Sequence, residues 1–106
     1  MIKDSNYGVV LVTTSSPEEA EAIANILIQE KLAACINIIP LKSLYTWEGK
    51  ICKDQEYQLL IKTDLSKFSE LETTIKNNHS YEVPEIIAIP IIKGSESYLS
   101  WLKHSL

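Results

Sequence analysis

The sequence predicts an α+β domain whose elements run β-α-β-β-α-β, with one further helix after them. Three observations carry that order. β-branched and apolar residues gather in short runs at 7–14, 33–47, 50–63 and 85–92, the pattern of strands that bury one or both faces. Between these runs, two stretches space their apolar residues three and four apart, as a helix does. "EG" at 48–49 joins the second and third runs, and a glycine there tolerates the positive φ that a two-residue hairpin turn requires.

Taken in order, "YGVVLVTT" (7–14) is a short buried strand. The next helix is announced by Ser16 as cap, Pro17 at the first helical position and Glu19 three residues past the cap, a capping box. Within "SSPEEAEAIANILIQEKLA", Ala20, Ile23, Ala24, Leu27 and Ile28 fall on one face. "AACINIIPLKSLYTW" (33–47) reads as a strand in which Pro40 cannot donate to a ladder and so marks an edge, a bulge or a bend. In the returning strand, 50–63, Tyr57, Leu59 and Ile61 share one parity, while Glu56, Gln58, Leu60 and Lys62 share the other. "SKFSELETTIKNNH" reads as a helix from near Ser66, facing inward with Phe68, Leu71 and Ile75 and stopping at Asn77 and Asn78. "EIIAIPII" is the fourth strand, with Pro90 again at an edge or bulge. "GSESYLSWLKHSL" is a short helix capped by Ser95 that carries Tyr98, Leu99, Trp101 and Leu102. Two right-handed crossovers make this a ferredoxin-like βαββαβ sandwich with an extended central β-hairpin and an additional C-terminal helix, one domain over residues 1–106.

The hairpin exceeds that plan. Its arms run to about fourteen residues where strands usually have about 5–6, and the overhang carries Leu44, Tyr45, Trp47, Ile51 and Tyr57. Such a surface is aggregation-prone in a lone subunit. A second copy of the chain is the simplest cover, so the sequence predicts an obligate homo-oligomer whose hairpin reaches onto a neighbour.

Composition narrows the function. A formal charge of −4 with no block of like sign argues against nucleic acid or an anionic membrane as the main partner. The start lacks a long apolar segment, and the longest apolar run, "IIAIPII", falls far short of a bilayer span. Cys35 and Cys52 form neither a disulfide framework nor a CxxC pair. A cytoplasmic setting is expected. The three glycines are dispersed, and neither a GxSxG elbow nor an HExxH pair occurs, so a binding protein is expected rather than an enzyme.

Several residues still offer chemistry. Cys35 in "AACIN" reads first as a packed hydrophobe. As a soft-metal ligand it would need further donors, which Met1, the only methionine, and Cys52 do not readily supply within one subunit. His79 suits a helix end, where an imidazolium meets the negative pole of the dipole. Tyr81, Glu82 and Glu85 within six residues of it make "HSYEVPE" a candidate cation site beside a strand end. Glu56 and Lys62 lie on one strand face but some 20 Å apart at ~3.3 Å per residue, so each needs another partner, and Lys62 could meet an anion. Trp47 and Trp101 read as packing or association anchors.

These pieces together resemble the CutA family, the divalent-cation-tolerance proteins. The likeness runs through "VTTSSPEEAEAIANILIQEKLAACINIIP", "YTWEGKI", "EYQLLIKT", "HSYEVPEIIAIPI" and "YLSWL". The resemblance implies a homotrimer with long hairpins in its contacts, similar in architecture to the PII signalling proteins, which bind small ligands between subunits. It implies copper or another divalent cation at Cys35, His79, Glu82 and Glu85, in a cleft lined by Trp47, Glu56, Lys62, Tyr81 and Trp101. The alternative it leaves open is a PII-like module that takes a small anionic ligand without a direct metal role.

Overall fold

The computed structural model describes residues 6–106. Residues 1–5, including Met1 and the start of the segment read as lacking a leader, lie outside them. The elements are β1 (Tyr7–Thr14), α1 (Pro17–Gln29), β2 (Cys35–Trp47), β3 (Lys50–Asp64), α2 (Phe68–Asn77), β4 (Ile86–Pro90) and α3 (Glu96–His104). All pairings are antiparallel, in the order β2-β3-β1-β4. This is the ferredoxin-like sheet, and both prolines sit on its edges. Pro40 lies opposite Tyr57 in an unbroken β2–β3 register, so it marks an edge and not a bulge. Pro90 closes β4 opposite Gly8 on the other edge. The hairpin turn has positive φ at both central residues, 51° at Glu48 and 77° at Gly49, the geometry that matches the twist of the flanking strands.

One face of the sheet carries the main core. Val10 and Val12 of β1 and Leu59 and Ile61 of β3 meet Ala20, Ile23 and Leu27 of α1 and Leu71 and Ile75 of α2, all essentially buried. Ile28, expected on the buried face of α1, is instead 40% exposed. The helix also stops sooner than its apolar pattern. Lys31 turns to φ 61°, Lys31 N–H donates to the Ile28 carbonyl at 3.1 Å, and Leu32 N–H donates to the Leu27 carbonyl at 2.9 Å. That pair of bonds is a Schellman closure, and it folds Leu32 into the core. The second helix opens with a 3-10 turn over Leu65–Lys67, where Asp64 accepts from Ser66 N–H at 2.9 Å, so the α-helix begins at Phe68 and not at Ser66.

The opposite face is only partly covered. Tyr7 shares a parity with Val9 and Leu11, and α3 packs there through Leu99 and Leu102, with Ala34, Ile91 and Leu106 around them. Beyond α3 this face stays open. Ile87 pairs with Leu11 and Leu11 with Leu60, making an apolar row across three strands. Among the described residues, no helix is long and apolar enough to cross a membrane.

Candidate functional site

The site begins where β1 runs out. Thr14, its last residue, lies opposite Tyr57, but the hairpin continues for seven more pairs, from Leu41↔Glu56 to Trp47↔Lys50. At ~3.4 Å per residue this overhang is about 24 Å long, in a molecule 47 Å along its longest axis. Its root would be bare on the open face. The loop between α2 and β4 fills part of that space.

Three anchors hold the loop. Tyr81 N–H donates to Nδ1 of His79 at 3.1 Å, which leaves Nε2 to carry the ring proton and donate to the Thr13 carbonyl at 2.7 Å. Glu19 reaches from the first turn of α1 and accepts from Ser80 N–H at 2.8 Å and Ser80 Oγ at 3.1 Å. The expected capping box is therefore half made: Glu19 N–H donates to Ser16 Oγ at 3.1 Å, but the Glu19 carboxylate serves the loop. Finally, the Tyr81 hydroxyl donates to Glu56 Oε2 at 2.5 Å.

Between loop and hairpin lies a cleft of about 550 Å³. Tyr45 and Trp47 of β2, Glu56 of β3, and Tyr81 and Glu85 of the loop form its walls, with Thr13 at the base. Ser80, Glu82, Val83 and Pro84 complete the loop side, and none of the lining residues is cationic. Glu56 is 5% exposed, yet among the described residues no lysine or histidine stands at ion-pair distance from it. Burial first, and then the charge of Glu56, push the Glu85 carboxyl above its ordinary value. Burial and the bond to Glu56 raise the Tyr81 phenol. A hydrogen bond from the Tyr45 hydroxyl to Asp54 pushes that phenol up to about 12. Both tyrosines are thus neutral donors to carboxylates, and the cleft is negative and aromatic.

The residues singled out from sequence separate into two places. Trp47, Glu56, Tyr81, Glu82 and Glu85 line the cleft. His79 stands behind the loop with both ring nitrogens engaged, so its role in the subunit is to brace Tyr81. Cys35 and Lys62 face each other across β2 and β3 at the level of Val9, six residues and about 20 Å down the strand from Glu56. Trp101 belongs with that second group: its ring lies 5.5 Å from Tyr98 of α3, whose phenol is pushed up by burial first and then by the nearby Cys35. The set Cys35, His79, Glu82 and Glu85 does not converge within one subunit, and among the described residues no group of three or more His, Cys, Asp or Glu is placed to hold a metal ion. An anion in the cleft would face carboxylates and, among the described residues of the subunit, no cationic lining residue.

Sequence reasoning did not place Tyr45, Asp54, Glu19 or Thr13 at this site. The first two were available from parity, since Tyr45 stands two residues before Trp47 and Asp54 two before Glu56. Nothing in the sequence links Glu19 to Ser80, 61 residues away.

Comparison with known proteins completes the picture. The family model "CutA1 divalent ion tolerance protein" matches residues 8–105. The chain belongs to this family. The divalent-cation tolerance protein CutA of Thermus thermophilus is 48% identical over 98 residues, covering 92% of this chain and 95% of that protein. The chloroplastic CutA of Arabidopsis thaliana is 50% identical over 98 residues, and there the chain spans 54% of the relative's length. Among solved structures, the periplasmic divalent cation tolerance protein CutA of Archaeoglobus fulgidus superposes with a TM-score of 0.91 at 43% identity, covering 93% of this chain and 97% of that one.

Proposed function

We propose that the protein serves divalent-cation tolerance by binding the cation directly, copper among the candidates, as a homotrimer in the cytoplasm, and that it is a binding protein and not an enzyme. The observation that carries this reading is Glu56, a deeply buried carboxylate that lines the cleft with Glu85 beside it and, among the described residues, no cation at ion-pair distance from either. Taking a charge out of water is costly unless a partner compensates, and a bound cation is that partner. Carboxylate oxygens suit Cu(II) or a harder divalent ion better than Cu(I), which favours sulfur.

One subunit supplies too few ligands, so the coordination is completed by a neighbouring subunit and water. Two exposed surfaces support an assembly. Ile39, Ile87 and Ile89 are about half exposed on the open sheet face, and on the hairpin Trp47 is about half exposed while Leu44 and Ile51 are largely exposed. Patches of this kind mark association surfaces. Cys35 joins a metal site only where a neighbour brings it a second donor. Two free cysteines fit a reducing compartment.

Equilibrium dialysis with Cu(II) and Mn(II), read as metal per subunit, tests the site. Glu56→Gln and Glu85→Gln lower binding, while Cys35→Ala leaves it intact. Equal uptake by wild type and both carboxylate variants rejects the cleft. Light scattering that reports a stable single chain at micromolar concentration rejects the trimer.

A further inference from the structure

We infer that the cleft is a receptor for an organic ammonium ion of the polyamine class, which goes beyond the metal reading and does not depend on it. The walls decide the chemistry. Tyr45, Trp47 and Tyr81 present three aromatic rings to one space, and Glu56 and Glu85 present two carboxylates to the same space. An ammonium group is attracted to a ring face within about 6 Å, and more strongly when both are shielded from water. The two phenols donate to Asp54 and Glu56, which pushes electron density into the rings and strengthens that attraction.

The carboxylates point the same way. A divalent metal needs several oxygens at about 2.0–2.6 Å from one point, and no such group exists among the described residues of the subunit. An ammonium needs one or two acceptors. Tyr81 occupies Oε2 of Glu56, which leaves Oε1 of a carboxylate that is itself only 5% exposed and has no ion-pair partner among the described residues. Among the described residues of the subunit, nothing cationic in the lining repels the ligand.

Size and apolar surface complete the fit. A space of about 550 Å³ is in the range of small-molecule sites and far larger than a bare ion. Val83 and Pro84 line it beside the aromatic rings, giving a methylene chain somewhere to lie between two charged ends.

Calorimetric titration of spermidine into the full-length protein, stripped of metal with a chelator, tests the inference. Tetramethylammonium and matched potassium chloride are the parallel titrants, and light scattering confirms that each variant keeps the wild-type assembly. Saturable spermidine binding is expected, weakened about tenfold by Glu56→Gln and three- to tenfold by Trp47→Leu. Glu85→Gln, at an exposed position of the loop, weakens it in the same direction. No saturable binding up to about 10 mM overturns the inference. So does binding that all three variants retain unchanged, or that potassium competes away at equal ionic strength. Metal dialysis is a separate readout: spermidine binding without copper uptake leaves the inference standing and removes the metal reading, and the converse removes only the inference.

Discussion

Replacing Tyr81 by Phe removes one hydroxyl and nothing else from the loop, so it isolates the bond to Glu56. That hydroxyl donates at 2.5 Å to a carboxylate that is 5% exposed and has no ion-pair partner among the described residues. A hydrogen bond to a charged group contributes about 1.5–3 kcal/mol. The cleft admits water to the vacated oxygen, which returns part of that, so a loss of about 1–2 kcal/mol is expected. Guanidinium melts at one fixed subunit concentration give the loss directly, since an oligomer's apparent stability moves with concentration. Adding Glu56→Gln closes a double-mutant cycle, and a coupling of about 1 kcal/mol is expected between residues in direct contact. A loss below about 0.3 kcal/mol together with no coupling would refute the claim that Tyr81 pins the loop through a buried charge.

Leu27 is fully buried between helix and sheet, so Leu27→Ala should cost about 2–5 kcal/mol, read from the same melts. Lys31 occupies a left-handed position at φ 61°, and Lys31→Gly should stabilise by about 0.5–1 kcal/mol, because glycine takes that conformation without a Cβ penalty. Glu85 titrates above its ordinary 4.5 in the folded protein, through burial and the charge of Glu56. The folded state therefore holds a proton that the unfolded chain has released, and the stability present below pH 4.5 is lost as pH rises through the folded value. Glu85→Gln should consequently melt higher than wild type at pH 7 and match it near pH 4, with melting temperature followed across that range; a gap that widens on acidification would reverse the sign.

The elements were legible because each rests on local chemistry. Ser16 and Ser95 cap α1 and α3 as their side chains allow, and two prolines found the two sheet edges because neither can donate to a ladder. Parity placed Leu59 and Ile61 in the core and Glu56 on the other face. The early stop of α1 was not legible, since Lys31 in a left-handed conformation contradicts its own preference and is held there by Leu32 entering the core.

What the sequence determined alone is the order β-α-β-β-α-β, the long hairpin and the family resemblance, all consequences of pattern along one dimension. What only the tertiary structure decided is which polar residues share a space. His79 and Cys35 looked like partners, yet His79 spends one nitrogen on Tyr81 of its own loop and the other on Thr13 of β1, while Cys35 lies some 20 Å of strand away from the cleft. The cleft itself exists because β1 ends seven pairs before the hairpin does and a loop folds into the gap. Chain termination in one element and loop placement from another meet only in three dimensions.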